Sequence, residues 1–169
     1  MKNIVLCGMM GCGKTTCAHL LGTQLGRPVV DTDDMVVEMA GMSISDLFAQ
    51  KGEAAMRDLE TEAARQLSTK QDLIIATGGG LPLRSENRQL LRSTGIVVFL
   101  RRDPGEIYDT ADMSGRPLGQ QGRDAFLTRF VQREPVYREF SHIIIQEFSS
   151  PEATVAEILT KLEGQLRDF

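Results

Sequence analysis

The chain has no tryptophan and two tyrosines, too few aromatic side chains to build a stacking platform for single-stranded nucleic acid. Its three cysteines, Cys7, Cys12 and Cys17, are odd in number and contain no C-x-x-C pair. That excludes a closed disulfide framework and a structural zinc site, and it fits free thiols in a reducing cytoplasm. Neither sign of charge dominates: 19 Lys and Arg stand against 23 Asp and Glu, for a net charge of −4. Such a surface does not embrace a polyanion, so an anionic ligand has to be held by a few placed arginines. Long apolar runs are also missing. None approaches the ~20 residues of a membrane span, and Ile4–Leu6 behind Lys2 is too short for the core of a secretory signal. There is no repeat, linker or low-complexity tract in the 169 residues, which predicts one soluble cytosolic domain, 1–169, working as a monomer.

What is present is a rhythm. Short runs rich in Ile and Val (Ile4–Cys7, Val29–Val30, Leu73–Ala76, Ile96–Leu100, Ile143–Ile145) lack polar alternation, as strands buried on both faces do. Between them lie helical patterns over Lys14–Leu25, Asp33–Met39, Ser45–Lys51, Ala54–Leu67, Ser85–Arg92, Arg123–Phe140 and Pro151–Leu166. Ser43 with Asp46, and Pro151, mark helix starts. The alternation predicts an α/β fold, a five-stranded parallel sheet with helices on both faces. One segment interrupts it. Residues 109–122 hold three glycines and a proline with no apolar period, and a loop of this length reads as a lid, with Arg116 at its centre.

Gly8-Met9-Met10-Gly11-Cys12-Gly13-Lys14-Thr15 satisfies G-x-x-x-x-G-K-[ST] between a strand and a helix. Glycines let backbone N–H groups converge on phosphate oxygens, and the helix N-terminus adds partial positive charge. A nucleoside triphosphate is therefore expected on Gly11, Cys12, Gly13, Lys14, Thr15 and Thr16. Lys14 reaches its outer phosphates and the Thr15 hydroxyl meets Mg²⁺. Cys12 and Cys17 read as small residues that fit, since no resolving partner or base accompanies them.

The acidic partner of such a loop often ends a neighbouring strand, yet Ile96–Leu100 runs into Arg101-Arg102. Asp31-Thr32-Asp33, after the second strand, is the alternative source. Its carboxylates can face opposite ways, one to the metal and one to a substrate hydroxyl, or can simply cap the next helix. Strings resembling guanine-nucleotide switches, Asp112-Met113-Ser114-Gly115 and Thr69-Lys70-Gln71-Asp72, occur in the wrong order for a GTPase.

The phosphate loop, Asp31-Thr32-Asp33, Met56-Arg57-Asp58-Leu59-Glu60, Ala76-Thr77-Gly78-Gly79-Gly80, Arg116-Pro117-Leu118 and Arg133-Glu134-Pro135-Val136-Tyr137 together resemble the shikimate kinase family over nearly the whole chain. The resemblance implies a three-layer sandwich like that of the nucleoside monophosphate kinases, in which ATP phosphorylates the 3-hydroxyl of shikimate. It implies that Arg57 and Arg133 hold the substrate carboxylate, in keeping with the planar fork of arginine. Asp33 would contact the reacting hydroxyl as base, and Gly79 would let backbone approach the ring. Asp31 with Thr15 would belong to the Mg²⁺ site, and Arg116 would descend with the lid onto the phosphates. Phe48 matches a pocket aromatic, whereas Met56 stands where an aromatic commonly precedes the substrate arginine. His19 and His142 read as structural and Tyr137 as packing. Two other readings remain open on the residues alone: a kinase of the same fold acting on another sugar acid such as gluconate, and a nucleotide switch that signals through a partner.

Overall fold

The structure, a computed structural model, describes residues 1–110 and 121–167. Its strands are β1 (Asn3–Cys7), β2 (Val29–Asp31), β3 (Ile74–Ala76), β4 (Gly95–Leu100) and β5 (Ile143–Ile145). They form one sheet in the order β2-β3-β1-β4-β5, and every pairing is parallel, with Val5 opposite Ile75 on one side and Val97 on the other. All of β1, β3 and β4 is buried, which is why these segments read as unbroken apolar runs. The helices are α1 (Lys14–Leu25), α2 (Thr32–Ala40), α3 (Ile44–Leu67), α4 (Ser85–Thr94), α5 (Pro104–Thr110), α6 (Arg123–Phe140) and α7 (Pro151–Arg167), with a 3₁₀ turn at Leu81–Leu83.

Topology fixes where a ligand can lie. From β1 the chain moves out to β2, returns to β3 beside β1, then crosses to β4 on the other side. The direction of winding reverses around β1, and the loops leaving the C-terminal ends of β1 and β3 part to leave a crevice. Those two loops are the phosphate loop and Thr77–Gly80.

Local signals explain most boundaries. The Ser43 side chain accepts a hydrogen bond from the Asp46 N–H (3.1 Å) and caps α3, and Pro151 opens α7. The two helices expected over 45–51 and 54–67 are one element kinked at Gly52, whose φ of 83° and ψ of 175° lie outside helical space. The kink turns α2 and the first part of α3 into an arm with its own apolar cluster, Val36, Leu47 and Met56, against which Met39 and Phe48 pack. His142 is structural as expected: its Nδ1 accepts from the Val97 N–H (3.0 Å) and its own N–H donates to the Val97 carbonyl (2.8 Å).

Helix α5 was not expected. Its cue is Asp103-Pro104-Gly105-Glu106, where the Asp103 carboxylate accepts the Glu106 N–H (2.9 Å). The helix claims residues 109 and 110, so the loop assigned to 109–122 begins later than the glycine content suggested. Residues 111–120, including Arg116, lie outside the described part of the chain. Among the described residues no helix is long and apolar enough to cross a membrane.

Gly22, in α1, has almost no space for a side chain: a Cβ there would sit 2.6 Å from Val29 Cγ2 and 2.9 Å from the Arg27 carbonyl oxygen. In an open helix Gly→Ala gains about 1 kcal/mol, but overpacking against backbone costs about 1–3 kcal/mol. Gly22→Ala is therefore expected to lower the urea midpoint; an unchanged or higher midpoint would show that α1 can move off β2.

Candidate active site

The phosphate loop departs from ordinary backbone at Gly8, Gly11 and Gly13, with φ of 146°, 80° and 101°. At Gly8 a Cβ would also lie 2.8 Å from the Leu100 carbonyl oxygen, so the loop is pressed against the end of β4. Lys14 folds back over the loop, its Nζ donating to the Gly8 and Met9 carbonyls at 2.8 Å each. This shapes the cradle around a buried ammonium, positioned to exchange those carbonyls for phosphate oxygens. Cys12 turns its thiol into the protein at 2% exposure, which leaves backbone as its contribution to the cradle. Cys17 is also buried, and burial pushes its thiol up to about 11, as expected of an inert structural residue.

Asp31 caps its helix and also faces the phosphate loop. Its Oδ1 accepts the Asp33 N–H at 2.9 Å and caps α2, while its Oδ2 accepts from the Thr15 hydroxyl at 3.1 Å. Capping thus fixes the rotamer that carries the second oxygen to the head of α1. Asp33, two residues on, faces the other way, towards Gly78, where a Cβ would meet its Oδ1 at 2.5 Å.

Gly78–Gly80 is where the acceptor half converges. A Cβ on Gly78 would also touch Glu60 Oε2 (3.1 Å), and one on Gly79 would touch the Met10 N–H (3.3 Å) and Arg133 Nη1 (3.5 Å). A Cβ on Gly80 would fall inside the Arg57 guanidinium. One cleft of about 210 Å³ is lined by Gly11, Lys14, Thr15, Asp31, Asp33 and Gly79. Thr16 lines it as well, and neither Arg57 nor Arg133 does.

Arg57 is not the solvated helix charge that its acidic neighbours would suggest. It is 11% exposed and pairs with Glu60 (2.7 Å) and Glu53 (3.0 Å). Burial alone would ease its proton off, but the charges and hydrogen bonds of Glu60 and Glu53 outweigh that and raise its pKa. Glu60 is 3% exposed, and burial raises its carboxyl above the usual range, against the pull of Arg57. Arg133, on α6, is 5% exposed, and its Nη1 is buried without a hydrogen-bond partner among the described residues.

Several contributors escaped the sequence reading. Glu60 stands three residues after Arg57, a helical ion-pair spacing that could have identified it. The Thr32 hydroxyl accepts the Gly78 N–H (2.8 Å), and the Thr77 hydroxyl donates to the Leu6 carbonyl (3.0 Å), so both pin the glycine backbone. Tyr137 does more than pack. Its ring lies against Phe99 at 5.2 Å, and its hydroxyl donates to the Gly79 carbonyl at 2.6 Å. No local sequence cue announces these tertiary bonds.

Comparison with known proteins agrees with this geometry. The sequence model described as shikimate kinase matches residues 10–163. A shikimate kinase of Symbiobacterium thermophilum is 41% identical over 167 residues, covering 95% of this chain and 96% of that protein. The structure of shikimate kinase from Acinetobacter baumannii in complex with shikimate superposes with a TM-score of 0.90 at 32% identity, covering 98% of this chain and 94% of that one. A gluconokinase from Sinorhizobium meliloti shares the fold alone, at 15% identity and a TM-score of 0.63 over 99% of this chain and 94% of that one. With its phosphate cradle, its buried arginines and these relatives, the chain belongs to the shikimate kinase family, enzymes that phosphorylate shikimate at the expense of ATP.

Proposed function

We propose that the chain transfers the γ-phosphoryl group of ATP to the 3-hydroxyl of shikimate, with the residues above in defined roles. The observation that carries this reading is the buried Arg133 guanidinium, whose Nη1 lacks a partner 3.5 Å from where a Gly79 Cβ would be. A buried cationic donor left unsatisfied is costly, and a carboxylate lying over Gly79 and Gly80 would satisfy it. Arg57, beside Gly80, supplies the second fork.

With the carboxylate held there, the ring lies along Gly78–Gly80 and a hydroxyl reaches Asp33. The Asp33 carboxylate takes the hydroxyl proton as the oxygen attacks the γ-phosphorus, and ADP leaves. Lys14 and the backbone of Gly11, Cys12, Gly13, Lys14, Thr15 and Thr16 hold the phosphates. Arg116 adds charge to the transferring group from the lid. Most of the acceleration then comes from positioning and charge stabilisation. Thr15 Oγ1 and Asp31 Oδ2, 3.1 Å apart, are hard oxygen donors of the kind that suit Mg²⁺ alongside phosphate oxygens and water. When bound, Mg²⁺ neutralises charge on the phosphates. The enzyme works as a single-domain monomer in the cytoplasm, with small molecules as its partners and neither nucleic acid nor membrane.

Three measurements test these roles. In an ADP-release assay with MgATP, turnover is expected with shikimate and not with gluconate or without acceptor. Turnover with gluconate alone would overturn the acceptor assignment, and slow hydrolysis indifferent to either would favour the nucleotide switch. Arg57→Ala is expected to weaken shikimate binding about 100-fold by calorimetry, as loss of a charge-assisted pair does, with ADP affinity retained; equal loss of both ligands would remove the carboxylate role. Asp33→Asn should bind both ligands and lose about 10²–10⁴-fold in kcat, and a variant with wild-type kcat would exclude Asp33 as base.

A further inference from the structure

The acceptor arginine Arg133 lies on a weakened stretch of helix. Pro135, inside α6, has no N–H, so the Val131 carbonyl loses its helical donor in the turn that carries Arg133 and Glu134. That turn is gripped from outside. Arg101 Nε donates to Glu134 Oε1 at 2.7 Å, the same oxygen accepts from Arg138 Nε at 2.9 Å, and Arg138 Nη2 forms an ion pair with it at 2.8 Å. The Arg101 guanidinium also lies 5.7 Å over the ring of Phe130, one turn before Glu134. It therefore holds α6 at two successive points on one face. Arg101 itself is firmly placed, because it follows directly on the buried strand β4 and its N–H donates to the Ile145 carbonyl (3.0 Å). On the adjoining face of the same turns, Arg133 reaches Gly79 and Tyr137 bonds to the Gly79 carbonyl.

We infer that Arg101 is a positioning residue for the acceptor site: through Glu134 it fixes the Pro135-interrupted turn of α6, and so the aim of Arg133 at Gly79. The strand end where an acidic partner of the phosphate loop was sought carries a cation that instead braces the acceptor helix. The pair differs from the exposed ion pairs that contribute little. Glu134 is 19% and Arg101 32% exposed, and Glu134 takes two charge-assisted N–H bonds beside a further ion-pair contact with Arg138. Burial would raise its carboxyl, but the bonds from Arg101 and Arg138 outweigh burial and hold it below the usual range.

The inference rests on the carboxylate role proposed for Arg133, so the test includes that residue. Steady-state kinetics on Arg101→Met, Glu134→Gln, their double variant, Arg101→Lys and Arg133→Lys would vary shikimate and ATP separately, with a thermal melt for each. Arg101→Met and Glu134→Gln are each expected to raise the shikimate KM about fivefold, with the double variant no worse than either single, as in one shared network. The ATP KM should stay within about twofold, and Arg101→Lys should recover part of the loss because it keeps the charge. An unchanged shikimate KM in both single variants, beside a raised one in Arg133→Lys, overturns the brace and leaves the acceptor reading standing. Equal increases in both KM values with a fall in Tm overturn it in favour of a merely structural role. An unchanged shikimate KM in Arg133→Lys removes the acceptor reading and the brace with it.

Discussion

The backbone of Gly78 and Gly80 passes through a space with no room for a side chain, and Asp33, Glu60 and Arg57 pack around that exclusion. A single carbon added at Gly78 would strike Asp33 and crowd Glu60, and one at Gly80 would strike the guanidinium of Arg57, whereas at Gly79 it would only come into close contact with the phosphate loop and Arg133. Gly78 and Gly79 thus present bare backbone to the cleft. They are fixed from below by Thr32 and from the side by Tyr137. Because β3 lies next to β1, the same backbone borders the phosphate loop.

Charge is managed by pairing rather than by exposure. Arg57 and Glu60 are both largely buried, and each makes the other tolerable there. Arg133 is left with one donor, Nη1, that has no hydrogen-bond partner among the described residues. A chain with a net charge of −4 can still select an anionic substrate, because the field that matters is local.

The sequence made the nucleotide half legible because its chemistry is local. Glycines, a lysine and a hydroxyl in one run, flanked by an apolar strand and a helix, carry their own geometry. The buried strands were equally plain, since β4 is apolar from end to end and β1 from Ile4 onward. The acceptor half was different. Arg57 alone reads as a solvated charge among acids, and only the fold shows it closed over Gly80. Tyr137 and Thr32 act through bonds to residues 58 and 46 positions away, for which no spacing rule exists. Asp31 showed a further limit: capping a helix was set against a metal or substrate role as alternatives, yet one carboxylate oxygen caps α2 and leaves the other free to accept from Thr15. Helix α5 was missed although its cap was present, because the glycines after it drew the whole stretch into a loop.

The most direct test of the account is a crystal structure of the chain with shikimate and ADP bound. The account predicts the carboxylate within hydrogen-bonding distance of both Arg57 and Arg133, the ring against Gly79, and one hydroxyl on Asp33 facing the phosphate loop. A carboxylate placed away from the two arginines, or a ring with no hydroxyl at Asp33, would contradict it.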